Sequence, residues 1–383
     1  MPSDLVKNTE FSDYVASATS LTGGMINNVW RISRTNPPHT VVIKHAGPAL
    51  KSLPALEFSV ERMAFEARGL ALFCNIPTHI AADTKLQQIN SLRHFIKDTL
   101  DIHIPRLLHY NETVPFIILE DIGSLPDIYK FCTSANVSAL EMQKDLCFIC
   151  ERIGQWIARL HGFGRKNLAK LKPLFTNYPA RRLINEVVYD LVCTRIVDNT
   201  SLVNKLELVD KIHNFRNAAM DDNQATLIFG DLWTGSVLFD KSKRQLYLLD
   251  FEFSDIGHAF ADIAHFVAHL LPLHFFCNTS YNPNVDPCPP HIATFLTSYS
   301  QALRVECPDA YDALIGNGDL VRESTMFFGI DIARDVLTGN WCRCGIADGS
   351  DDVPLSCACA DMLLPFAANY INGCTDSLFK ILL

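Results

Sequence analysis

The sequence predicts a two-lobed α+β fold, with a small antiparallel sheet and one main helix at the N-terminal end and a larger, mostly helical lobe after it. Apolar and polar residues alternate in strand-like runs before Gly123, and helical spacing dominates beyond it. A chain of 383 residues, 48% hydrophobic and 20% charged, is also long enough for two cores. The lobe boundary is expected within 121–126, dividing the chain into 1–122 and 123–383.

From Leu21 to Lys44 the alternation breaks at TGGMINN and at NPPH, which reads as strand, glycine turn, strand, proline turn, strand. Pro54 opens a segment through Phe73 in which Met63, Ala67, Leu70 and Phe73 recur at helical spacing, predicting the main helix. IPRLLHY and PFIILEDIG read as two more strands, the second ending at Glu120-Asp121. Beyond Gly123, long helical runs are expected over 139–162 and 181–218, with TLIFGD and QLYLLDFEF as two embedded strands. The most apolar stretch, Phe260 to Phe276, holds Asp262, His265, His269, Pro272 and His274, too many polar interruptions for a bilayer span, so it reads as a buried helix.

Charge and cysteine usage exclude several function classes. A net charge of -9 without a Lys/Arg block disfavours a nucleic-acid partner, which needs a concentrated basic surface. The first fifteen residues lack a basic start and apolar core, so no secretory signal and a cytoplasmic location are expected. The thirteen cysteines then read as reduced thiols. Two C-x-C pairs, Cys342/Cys344 and Cys357/Cys359, leave a zinc site open as an alternative, and Cys147 with Cys150 reads as core packing.

An ordered set of candidate site residues runs along the chain. Gly23-Gly24 lies between two strands, where missing Cβ atoms let main-chain N–H groups approach an anion, with Asn27 able to fix the turn. Lys44 ends the strand VVIK and can place its ammonium from a rigid element, paired by Glu66 on the next helix, with Glu57 and Glu61 as competitors. At the end of the first lobe, the Glu120 carbonyl and the Ile122 N–H are positioned to meet the edge of a planar ring. Asp231, in a turn after a strand, is the candidate catalytic base, with Ser236 five residues on. Asp250 and Glu252, alternate residues of the next expected strand, would converge on one magnesium ion. Asp262 is either a helix-start residue or an acceptor for the N–H groups of the Asp231 loop. Transfer of a phosphoryl group from ATP to a hydroxyl needs these parts: phosphate contacts, metal ligands and a base.

These residues together resemble the aminoglycoside phosphotransferase and choline-kinase-like superfamily, small-molecule kinases with a protein-kinase-like fold. FGDLWTGS stands in the place of that family's H-G-D-x-x-x-x-N loop, and DLWTGS with DFEF is most similar to the methylthioribose-kinase-like branch, while GGMINNVWR and IKHAGP resemble a fungal kinase of the superfamily. The resemblance implies ATP and Mg2+ as cofactors, 1–122 as the nucleotide-binding lobe, 123–383 as the catalytic and substrate-binding lobe, and a small-molecule hydroxyl as acceptor. Phe229 and Ser236 depart from the family's histidine and asparagine, which keeps a non-catalytic, nucleotide-binding alternative open, and Trp233 stands where the branch has histidine, which argues against methylthioribose itself as the acceptor. Trp233, Trp341, Arg334 and Asp335 are candidate substrate-wall residues, with an exposed helical pair as the other reading of Arg334-Asp335 and a core position as that of Trp341.

Overall fold

The computed structural model describes residues 2–14, 16–21, 24, 26–76, 84–92, 101–134, 138–219, 224–277, 288–316, 318–338, 357–373 and 377–383, apart from the side chains of 84, 275–277 and 357–362. A short helix α1 (Pro2–Val6) precedes strands β1 (Ser17–Ser20), β2 (Asn28–Arg34) and β3 (His39–His45), each antiparallel to the next. Helices α2 (Arg62–Phe73) and α3 (Thr84–Leu92) follow, then β4 (Ile102–His103), β5 (Leu107–Asn111) and β6 (Phe116–Glu120). Five strands make an antiparallel sheet in the order β1-β2-β3-β6-β5. The continuous apolar run of β6 has a direct cause, because both of its faces are covered. Phe116 and Ile118 join Ile32, Val41 and Ile43 beneath Val6 and Tyr14. Ile117 and Leu119 join Met63, Ala67 and Leu70 of α2 on the other side.

Two expectations shift here. The first strand lies at Ser17–Ser20, ahead of the alternation that announced it. The main helix begins at Arg62 rather than near Pro54, because an Ala49–Glu57 bridge and a Leu56 N–H to Leu53 carbonyl bond hold the intervening chain as a turn.

The second half opens with α4 (Ile128–Thr133) and the long α5 (Ala139–Lys166), whose first turn is capped by Ser138 accepting from the Glu141 N–H. Next come α6 (Leu168–Phe175), α7 (Tyr178–Ile184), a π turn at Asn185–Asp190, α8 (Leu191–Asp198) and α9 (Lys205–Ala218). The run expected over 181–218 is therefore broken, and Asn204 at φ 54 is left-handed where the chain re-enters α9.

Four short strands, rather than two, are embedded in this half: β7 (Ala225–Ile228), β8 (Val237–Asp240), β9 (Gln245–Leu248) and β10 (Asp255–His258). β7 pairs with β10 and β8 with β9, while β4 adds to β9 in parallel, so the chain before Gly123 lends a strand to this smaller sheet. QLYLLDFEF is not one strand. It ends at Leu248, and Phe251–Phe253 is a 3-10 turn entered through Asp250 at φ 68. Gly69 of α2 sits where a Cβ would lie 2.5 Å from the Phe251 Cβ, so glycine is what lets the main helix close on this turn.

Helices α10 (Phe260–Cys277), α11 (Pro290–Glu306), α12 (Pro308–Leu314), α13 (Asp319–Thr338) and α14 (Cys357–Ile371), with a final 3-10 turn at Leu378–Leu382, complete the described chain. α10 is buried as expected, with Ile263, Ala264, Phe266, Val267 and Leu270 all inaccessible. Among the described residues no helix is long and apolar enough to cross a membrane.

Candidate active site

Lys44 emerges from β3 into a cluster of carboxylates and is itself only 5% exposed. Its Nζ donates to Glu66 Oε2 at 2.6 Å and to Asp250 Oδ1 at 2.7 Å, and lies 3.6 Å from Glu252 Oε1. Of the three glutamates offered by sequence, Glu66 is thus the partner. It faces inward with Met63 and Ala67 of α2, whereas Glu57 and Glu61 are exposed. Asp250 reaches the cluster because its left-handed backbone turns the chain out of β9, so it converges with Glu252 through a turn and not along a strand face.

The cluster carries more negative than positive charge. Burial, with repulsion from Glu252 and Asp250 and against the pull of Lys44, pushes Glu66 up to about 8. Burial also raises Glu252. Burial alone would depress Lys44, but Asp250, Glu252 and Glu66 hold it well above the ordinary lysine range, so the ammonium persists. One oxygen from each of Glu66, Asp250 and Glu252 lies within 4.8 Å of the others. A hard oxygen set with excess negative charge fits a magnesium ion, which would relieve that repulsion.

Asn27 does more than fix its turn. Its Nδ2 donates to Glu252 Oε2 at 2.6 Å while its Oδ1 accepts from Arg62 Nε at 2.8 Å. Arg62, fully buried, also donates to the carbonyls of Phe58, Ser59 and Gly47, and so ties the β2 turn, the approach to α2 and Glu252 into one network. Sequence reasoning gave Arg62 no role. Its position four residues before Glu66, on the same helix face, was the available signal.

The Asp231 loop is bracketed from behind. Asp262 accepts from the Phe229 N–H through Oδ2 and from the Gly230 N–H through Oδ1, each at 2.7 Å. Of the two readings of Asp262, the structure shows the loop acceptor, on a residue that also lies in the first turn of α10. His161 on α5 contacts Asp262 Oδ2 at 3.0 Å through Nε2, and its Nδ1 meets the Tyr299 hydroxyl at 2.9 Å. Gly230, at φ +92, could not carry a side chain, since a Cβ would lie 2.1 Å from the Phe253 carbonyl oxygen. Phe229 packs its ring 4.8 Å from Phe251 and 6.2 Å from Trp156, an apolar brace for the loop.

Asp231 itself remains 29% exposed, and its Oδ1 lies 3.3 Å from His265 Nε2. The far side of that ring, Nδ1, meets Asp331 Oδ2 at 2.5 Å. Arg334 contacts both Asp331 and Asp335 at 2.9 Å, and with Asp335 buried and Arg334 half-buried the two are not an exposed helical pair. Trp233 stacks edge-on to His269 at 5.6 Å, close to this network. Ser236 closes its own turn, accepting from the Trp233 N–H at 3.1 Å and donating to the Trp233 carbonyl at 2.9 Å.

At the crossing between the halves, the Glu120 side chain is drawn to His103 and Arg106, while Asp121 forks with Arg31 at 2.7 and 2.9 Å. Ile122, half-buried, follows directly. Gly24 is described at the β1–β2 turn, whereas Gly23, Trp341, Cys342 and Cys344 lie outside the described residues, as do the side chains of Cys357 and Cys359. Of the two α5 cysteines expected in the core, Cys150 is buried and Cys147 is half-buried.

Against known proteins, the profile of the APH phosphotransferase enzyme family matches residues 17–279. The chain is 27% identical over 265 residues to the 4-hydroxytryptamine kinase of Psilocybe cyanescens, a match spanning 64% of this chain and 65% of that protein. It is 24% identical over 278 residues to the 4-hydroxytryptamine kinase of Psilocybe cubensis, spanning 69% and 70%. The match to the first of these therefore covers slightly less than two thirds of the relative's length. Among solved structures, the Plasmodium vivax ethanolamine kinase superposes with a TM-score of 0.49 at 12% identity, covering 99% of this chain and 88% of that one.

Proposed function

Because this chain belongs to the APH phosphotransferase enzyme family, we propose that it transfers the γ-phosphoryl group of ATP to a hydroxyl of a small molecule, with Asp231 as the catalytic base. The observation that carries the proposal is the convergence on Lys44 of Glu66 and Asp250, one from the main helix and one from the far half of the chain. A buried ammonium held in place from two sides suits a ligand of high negative charge, such as a triphosphate.

In this reading the lobe of 1–122 binds the nucleotide, with the Gly23-Gly24 turn over the phosphates and the Glu120 to Ile122 crossing at the adenine edge. Lys44 steadies the phosphates, and Glu66 keeps it extended. Asp250 and Glu252 would hold magnesium; the Ser236 hydroxyl, bonded to Trp233 main chain on both sides, is the weaker candidate. When bound, magnesium neutralises charge on the transferred group. Asp231, in the lobe of 123–383, orients the acceptor hydroxyl and takes its proton. Its partial exposure leaves it accessible to an acceptor, and the Asp262 bracket keeps the loop still.

For the acceptor, we favour an alcohol or phenol with an apolar ring, on the strength of Trp233 near Asp231 and the two hydroxytryptamine kinases among the relatives. Those relatives also support a fungal source. The methylthioribose-like sugar implied by DLWTGS and DFEF is the competing acceptor. The test is ADP release from MgATP across 4-hydroxytryptamine, methylthioribose, choline and other alcohols, beside an Asp231→Asn variant. Turnover with at least one acceptor, lost in the variant while MgATP binding persists, is the expected result. MgATP binding with no transfer to any alcohol would instead favour the non-catalytic alternative.

A further inference from the structure

The Asp231 carboxylate needs a fixed orientation if it is to meet an acceptor hydroxyl, and the loop bracket alone does not supply one. Asp262 holds the N–H groups of Phe229 and Gly230, which precede Asp231 and leave its side chain free to turn. Among the described residues, the one hydrogen bond of the Asp231 side chain is to His265. His265 is in turn immobilised by Asp331, which is fully buried and also paired with Arg334.

We propose that His265 is the positioning residue of the catalytic carboxylate: its imidazolium spans Asp331 and Asp231 and holds Asp231 with its other oxygen toward the acceptor hydroxyl. This rests on the kinase reading above. The groups that face the ring are Asp231 from the loop after β7, His269 from α10, and Asp331 with Arg334 from α13. Burial alone would discharge the ring, but Asp331 and Asp231 raise it to about 10, so it is cationic through the neutral range. His269, 4.6 Å away, is driven down to about 4 by burial and by His265, so it adds no competing charge. A fixed Asp231 serves phosphoryl transfer directly, because positioning the nucleophile matters more there than early proton removal.

Two measurements on the full chain decide it. In 15N-imidazole NMR, His265 should remain doubly protonated at pH 8, and Asp231→Asn should lower its pKa by at least about half a unit. An ordinary midpoint near 6.5 in the unaltered protein, or no response to Asp231→Asn, overturns the proposal whether or not an acceptor has been found. In steady-state kinetics with 4-hydroxytryptamine or whichever panel alcohol is turned over, His265→Ala should lower kcat about 10²-fold with MgATP affinity unchanged, and His265→Gln, which keeps an N–H donor, should recover part of it. Asp331→Asn should bring the His265 titration into range, giving kcat an alkaline limb near pH 7 that the unaltered enzyme lacks. A kcat for His265→Ala within threefold of the unaltered enzyme sinks the positioning role. Absence of turnover in the unaltered enzyme would count against the kinase reading and leave the NMR result to decide the His265 arrangement.

Discussion

Substituting Asp262 by alanine tests the bracket that holds the Asp231 loop. The carboxylate accepts two main-chain N–H bonds at 2.7 Å and one from His161 at 3.0 Å, and both side chains are fully buried. Removing it orphans one buried and one part-buried N–H group and unpairs a buried imidazole. At about 1–3 kcal/mol for each unsatisfied buried group, a loss of about 4 kcal/mol is expected, partly offset if water enters. With an unfolding entropy of about 2.1 cal/mol/K per residue, a 383-residue chain has ~0.8 kcal/mol/K, so Tm should fall by about 5 °C. Asp262→Asn keeps one acceptor oxygen and should lose roughly half as much. Turnover should fall further than stability implies, because Gly230 leads directly into Asp231 and a shift near 1 Å there costs about 10²-fold. Scanning calorimetry and ADP release on the same preparations check both. A Tm within about 1 °C of the unaltered protein, with turnover within threefold, would refute the reasoning.

Other perturbations follow from the same geometry. Glu66→Gln replaces the side chain that accepts from Lys44 at 2.6 Å, and above about pH 8, where Glu66 is ionised, kcat/KM for ATP should drop by at least about tenfold with the fold retained, as checked by kinetics beside circular dichroism. Gly230→Ala must force a Cβ to 2.1 Å from the Phe253 carbonyl at a left-handed φ, so loss of Tm and activity together is expected, whereas Gly123→Ala, with nothing near the added methyl, should cost only the left-handed strain of about 1 kcal/mol. The His265 pKa, raised from 6.5 to about 10, contributes stability that is fully present below about pH 6.5 and is lost as pH rises toward 10. His269, lowered from 6.5 to about 4, acts at the other end, its contribution being lost as pH falls from about 6.5 to 4. Tm measured from pH 4 to 10 should show both slopes, and His265→Ala should flatten the alkaline one relative to the unaltered protein.

Much of the site was legible because it lies in short motifs with a local grammar. Strand alternation pointed to Lys44, and the turn after a strand pointed to Asp231. Local grammar failed at LLDFEF, where apolar residues suggested an extended strand through Glu252. The chain leaves β9 at Leu248, and the left-handed Asp250 and the 3-10 turn pack Phe251 against Gly69 and Phe229. Tertiary packing against α2 overrode strand propensity there. Arg62 and His161 were missed for a related reason, since a polar residue on an apolar helix has no partner that sequence can name.

The sequence by itself determined the order of chemistry-bearing residues, the α+β division and the identity of Asp231 and Asp250 as the acidic pair to examine. Only the tertiary structure decided which groups touch them. Asn27 finds Glu252 across 225 residues, Lys44 finds Asp250 across 206, and His161 finds Asp262 across 101. Contacts over such separations leave no periodicity in a single chain, because they depend on how the sheet, α2, α5, α10 and α13 pack together. The same packing decides charge: Glu66 and His265 are ordinary side chains in sequence, and burial beside particular neighbours moves both far from their ordinary pKa values.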